Sequence, residues 1–283
     1  MFLMKKTILS VLLMWAAATV SEAQRYGEVK FLEIGAMGGI ANYFGDLSPS
    51  PFGKGTIGHN VGVFGRYNFS DRVALRVGLS FARVMGADST TGDELRNLSF
   101  RTPLTEFTLV PEVNILPFNP DGGQRIAPYV YAGISIFSMK PQAKLNNIWY
   151  DLQPLGTEGQ NINSPDYPLP YKTLQFAIPA GLGVKFAATR NLTLGLDLGM
   201  RLLFTDYLDD VSRNYVDLNA LEGSGVDGDL AAALSNRSGI EQLDGAPRGN
   251  PDNKDWLFFA NFTLSYNLLD GFGGGGRGGC PTF

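Results

Sequence analysis

The stretch Leu192–Leu202, LTLGLDLGMRL, limits what this chain can become more than any other. Leu192, Leu194, Leu196, Leu198, Met200 and Leu202 take every second position, with Thr193, Gly195, Asp197, Gly199 and Arg201 between them. Successive side chains on a strand alternate across the pleat, so one face is wholly apolar. The other face carries an acid, a base and two glycines. A soluble sandwich can bury such leucines in a core. A membrane barrel can turn them to lipid and fill a narrow lumen with the polar set.

Recurrence separates the two. Seven further alternating runs are present: Leu32–Phe44, Gly58–Asn68, Val73–Ala82, Thr105–Ile115, Pro128–Ile136, Leu174–Phe186 and Trp256–Leu268. At about 10–13 residues they match the length of a tilted membrane-crossing strand. Pro111 is awkward in the fourth run, since proline removes a ladder donor and favours edges or bulges. The connections alternate between long and short, as in outer-membrane barrels with short periplasmic turns and long external loops. A sandwich gives no reason for that alternation. The expected fold is therefore an eight-stranded antiparallel transmembrane β-barrel over residues 24–270, with both mature termini in the periplasm.

Charge placement makes the same point independently. Glu33, Glu106, Glu112 and Asp197, and Arg66, Arg76, Lys185 and Arg201, all fall on the polar faces of the runs. Eight strands enclose a bore only wide enough for side chains. Buried charges persist there when paired and hydrogen-bonded. Four acids with four bases predict a plugged, ion-paired lumen, not a channel for large solutes.

The first 23 residues read as an export signal. Lys5 and Lys6 precede an apolar run ending near Val20, and Ser21-Glu22-Ala23 suits cleavage ahead of Gln24. The mature chain then holds 21 basic and 26 acidic residues. That excess of acid gives no basis for nucleic-acid binding. No later run has the apolar length of a helical span, which leaves strands to cross a membrane.

Chemistry-bearing residues are few. His59, the only histidine, has no marked serine to activate and reads as a rim residue. Leu203–Lys254 carries ten acids and four bases. Asp206, Asp209, Asp210, Asp227 and Asp229 there could bind calcium through carboxylates. The EF-hand spacing is absent, and the segment reads as a solvated acidic loop, with a short helix near Asp227–Leu234 but no second compact domain. Residues 271–283 form a glycine-rich tail ending in CPTF, without a phosphate-loop signature. Cys280, the only cysteine, has no internal partner and is either a free thiol or one half of an intermolecular disulfide.

Three phrases carry a family resemblance: EIGAMGGIANYFGDLSP, LLFTDYLDDVSRNYVD and RGNPDNKDWLFFANFTLSYNL. They resemble the PorG-like outer-membrane barrels of the Bacteroidetes type IX secretion system. The resemblance implies a small barrel in the outer membrane beside a periplasmic ring of a PorK-like lipoprotein and a PorN-like protein, with no enzyme activity and no cofactor. The expected function is then a non-enzymatic part of a secretion machine that ties the ring to the membrane. The ring lipoprotein would be the partner of Cys280. The competing readings are a stand-alone outer-membrane barrel with a structural or ligand-binding role, a lipid-modifying enzyme, and a soluble periplasmic binder.

Overall fold

The alternating runs fold into antiparallel strands whose ends meet. A computed structural model describes residues 30–48, 56–90, 95–225, 227–240, 244–252 and 254–268. The expected signal segment, the glycine-rich tail and Cys280 lie outside these residues. Eleven strands occur among them: β1 (Phe31–Phe44), β2 (Gly58–Asn68), β3 (Val73–Ala87), β4 (Ser99–Asn114), β5 (Ile126–Ala132), β6 (Ile134–Met139), β7 (Gln142–Leu145), β8 (Ile148–Asp151), β9 (Leu174–Ala187), β10 (Leu192–Leu203) and β11 (Trp256–Leu268). Each strand of the ring pairs with its neighbour, and β11 returns to β1 over a register from Leu32↔Leu268 to Phe44↔Trp256. The sheet closes and leaves no ring edge unpaired.

The count of eleven corrects the expected eight in two places. The fifth run is split into β5 and β6 at Gly133, yet both pieces pair with β4 and β9 in one continuing register. Gly133 donates its amide to the carbonyl of Pro179 at 2.9 Å. Pro179 has no N–H to return, and Pro111 faces the same gap from β4, so ladder donors are missing on both sides. Eight staves still make the ring. The other two strands, β7 and β8, form a hairpin in the segment read from sequence as aperiodic. Its two turn residues, Asn146 and Asn147, have φ of 48° and 67°, as a type I′ turn requires.

Facing follows the alternation. Leu196, Leu198 and Phe262 are 45%, 52% and 73% exposed on the outer surface. The polar partners point inward. Strands β3 and β4 run beyond the expected limits, to Ala87 and back from Ser99. The connections 69–72, 115–125 and 188–191 share one end of the ring with the start of β1 and the close of β11. The longer connections 45–57, 88–98, 140–173 and 204–255 gather at the other. These are the turn end and the loop end below.

Apolar layers close both ends. Phe31, Phe118, Ala127 and Ala187 pack together at the turn end. At the loop end, Tyr43, Phe100, Phe137, Leu208, Val211 and Phe259 belong to a larger buried cluster. A third apolar cluster joins two of the long connections. Ala143, Leu152 and Leu155 from the 140–173 connection meet Val216, Leu221, Ala231 and Leu234 from 204–255. Two helices frame it, α1 (Leu218–Glu222) and α2 (Gly228–Ser235). The Asp217 side chain caps α1 by accepting from the Asn219 amide, and α2 falls where a short helix was expected.

Candidate functional site

The lumen brings all eight sequence-selected charges inside. Glu33, Arg66, Arg76, Glu106, Glu112, Lys185, Asp197 and Arg201 are each at most 8% exposed. Glu112 is the hub. One of its carboxylate oxygens lies 2.9 Å from Arg66 Nε and 2.8 Å from Lys185 Nζ, and the other 2.9 Å from Arg76 Nε. Arg66 also reaches Glu33 at 2.8 Å, and Arg76 reaches Asp197 at 2.8 Å. Nearer the loop end, Arg201 pairs with Glu106 at 3.1 Å across the bore. Asp197, four residues from Arg201 on the same strand face, is paired with Arg76 instead.

Neutral groups complete the layer. Tyr129 and Tyr131 donate to the two oxygens of Asp197 at 3.0 and 2.7 Å. Asn68 and Ser265 donate to Glu33 at 2.8 and 2.7 Å. Aromatic faces shield the cations: Arg76 lies 4.9 Å from the Tyr131 centroid, and Arg201 lies 4.3 Å from that of Phe259. Gly181 and Gly183 leave the space that the tyrosine rings need, since a Cβ at either would lie 2.6 or 2.5 Å from ring atoms. The contents are a neutral, interlocked set of charges between two apolar stoppers. His59 is exposed on β2, opposite Ile40 and Arg83.

The loop end holds groups that the sequence reading placed in solvent. Asp206, Asp209 and Asp210 are at most 4% exposed, whereas Asp227 and Asp229 are exposed. Leu208 and Val211, which flank the buried acids, enter the loop-end cluster and carry the acids in with them. Tyr43 Oη lies 2.6 Å from Asp209 Oδ2 and 3.0 Å from Asp255 Oδ1. Burial pushes the Asp206 carboxyl up to about 7 and that of Asp210 up to about 6. Burial also holds Asp209 and Asp255 well above the ordinary carboxylate range. Among the described residues, no group of three or more His, Cys, Asp or Glu side chains is arranged to hold a metal ion.

Cations missed in the sequence reading fasten the connections together. Arg248 pairs with Glu158 at 2.9 Å, and Glu158 also accepts the Ser212 and Arg213 amides. Arg96 grips Asp88 through two nitrogens and reaches the carbonyls of Asp46 and Arg248. A cleft of about 350 Å³ opens beside them, lined in part by Asp166, Tyr167, Arg213, Tyr215 and Asp244. Isolated arginines in polar segments offered no periodic signal.

A closed antiparallel ring with an apolar exterior and a neutralised ionic filling defines the class: a membrane-spanning β-barrel with a sealed lumen. Residues 6–230 match a family described as a domain of unknown function, DUF6089, and the chain belongs to that family. No curated protein matches the sequence.

Several solved structures overlap the fold. Ail, the attachment invasion locus protein of Yersinia pestis, is 10% identical, with 84% of this chain and 99% of that one covered at a TM-score of 0.39. Neisserial surface protein A is 11% identical, with 82% and 96% covered at 0.39. A major outer membrane protein from Thermus thermophilus is 15% identical, with 84% and 99% covered at 0.37. The class rests on strand pairing and facing, not on these distant overlaps.

Proposed function

We propose that the chain is a non-enzymatic outer-membrane component of a protein-secretion machine of the type IX kind, tying a periplasmic ring to the membrane. The sealed lumen carries the reading. A bore filled by Glu112 and its three cations, and stoppered by apolar layers, moves no large solute. The work of such a barrel falls to its two ends. The three phrases that resemble PorG-like proteins lie far apart in sequence, yet they supply Tyr43, Asp209 and Asp255 to one buried contact. That supports treating them as one structural signature.

In this reading the turn end faces the periplasm, and a PorK-like lipoprotein and a PorN-like protein dock there. Cys280, on its glycine-rich tether, supplies a covalent link to the lipoprotein. Affinity purification with cross-linking from native envelopes tests the proposal. Recovery of both ring proteins, with export lost on deletion of the gene, is the expected result. Normal export and no ring protein in the eluate refute it. The acidic loop cleft favours a second reading, a stand-alone barrel that binds a ligand at its loop end, and the same deletion separates the two.

A further inference from the structure

We infer that Tyr43, Asp209 and Asp255 form a proton-held latch, which fastens the 204–255 connection to the loop end of β1 and releases it as the surrounding medium turns alkaline. The geometry favours a shared proton. Tyr43 Oη lies within hydrogen-bonding distance of both carboxyls, at 2.6 Å from Asp209 and 3.0 Å from Asp255. A phenol has one proton, and splitting it between two buried carboxylates would leave both contacts weak and both charges unpaired. The second contact becomes a full hydrogen bond when that carboxyl carries a proton and donates it to the phenol oxygen.

The remaining oxygens are already committed. Asp209 Oδ1 accepts the Val211 amide at 3.0 Å, and Asp255 Oδ2 accepts the Leu208 amide at 2.9 Å. One carboxylic acid, one phenol and one carboxylate therefore make a closed chain of donors and acceptors with a single negative charge. All three residues are at most 1% exposed.

The surroundings penalise a second negative charge. Two more acids face the pair: Asp46 from the 45–57 connection, and Asp206 from the latch's own connection. Lys254 flanks Asp206, but its ammonium donates to the Pro251 carbonyl at 2.7 Å. Arg96, from 88–98, is held by Asp88, and Glu158, from 140–173, is neutralised by Arg248. Among the described residues neither Asp209 nor Asp255 forms an ion pair. Losing the shared proton sets two buried anions against one phenol. Lifting the connection lets water solvate both. For each carboxyl that gives up its proton only on opening, opening becomes about tenfold easier per pH unit until the closed-state group titrates.

Hydrogen–deuterium exchange of the full chain in detergent, corrected for the chemical pH dependence of amide exchange, tests the latch. Between pH 5 and pH 9, peptides from 204–255 should open at least tenfold more, while ring strands keep their protection. Asp255→Asn, whose neutral amide can donate to Tyr43, should show at least tenfold less opening at pH 9 than the parent. Tyr43→Phe should be open at both values. Heat-modifiable gel migration establishes that each variant still forms the barrel, and the parent titration stands without them. A parent with pH-independent exchange overturns the latch. So does full pH dependence in Asp255→Asn, or opening that follows chelator and added calcium in place of pH.

Discussion

Neutralising Glu112 tests the ionic filling at its hub. Its carboxylate has three cation partners at 2.8–2.9 Å. At an effective dielectric near 20, each such pair has a nominal attraction of roughly 6 kcal/mol, largely offset by the cost of stripping water from both ions. In Glu112→Gln the shape is kept. Arg66 retains Glu33 and Arg76 retains Asp197. Lys185 loses its nearest carboxylate and keeps the Tyr129 face, 4.7 Å away, and the more distant charge of Glu33.

A buried ion left in that state costs roughly 3–5 kcal/mol, about two to four powers of ten in the folding equilibrium. Lys185→Met should cost a similar amount for the opposite excess. The double variant restores neutrality, so it should be more stable than the sum of the single losses predicts, by about 2 kcal/mol or more. Urea unfolding in lipid vesicles, followed by tryptophan fluorescence, measures all four corners. Losses that add within about 0.5 kcal/mol refute the account of Glu112 and Lys185 as one charge unit.

Three further outcomes are expected. Leu196→Arg puts a charge on the lipid face and should cost roughly 2–4 kcal/mol near the bilayer midplane, with Leu196→Phe mild; parent-like insertion into vesicles by the arginine variant would place Leu196 on the wrong face. Asp210 accepts from Thr157 and Tyr171 and has its carboxyl raised from 3.8 to about 6, mainly by burial. The folded loop holds that proton more tightly than the unfolded chain. The resulting stabilisation is full below about pH 4 and is lost as pH rises through about 6, so thermal melts of the loop package should show this fall, and Asp210→Asn should remove the part between about pH 4 and 6 while leaving the latch's own loss at higher pH. Under the proposed function, Cys280→Ser should abolish a reducible higher-mass band from native membranes and impair secretion while leaving insertion intact; a monomer-only band after thiol blocking, with normal secretion in the variant, would dismiss the link.

The alternation was readable because a strand's period of two leaves little freedom: once Leu196 faces out, Asp197 faces in. The pairing of charges was not readable. Arg201 on β10 meets Glu106 on β4, and Arg76 on β3 meets Asp197 on β10. Such contacts depend on the curvature of the closed ring, not on any local spacing. The β7–β8 hairpin left a signal that was missed, since Asn146-Asn147 is a sequence suited to two positive φ values. Counting charges in the 203–254 segment suggested solvent exposure. The apolar spacing of Leu208 and Val211, which draws Asp209 and Asp210 inward, was the better guide.

The seam between β1 and β11 ties the timing of folding to the far end of the chain. Glu33 is hydrogen-bonded to Ser265, 232 residues away in sequence. Until β11 arrives, the growing sheet is an open curl whose charged face remains wet, and the loop-closure entropy of this long-range seam is still to be met. Dehydration of the ion pairs and joining of the first and last strands are therefore a single late event. A chain lacking β11 gains none of the sealed interior and keeps two raw edges. Topology of this kind folds slowly, and the final thirteen residues of the ring, Trp256–Leu268, decide when the barrel can commit to lipid.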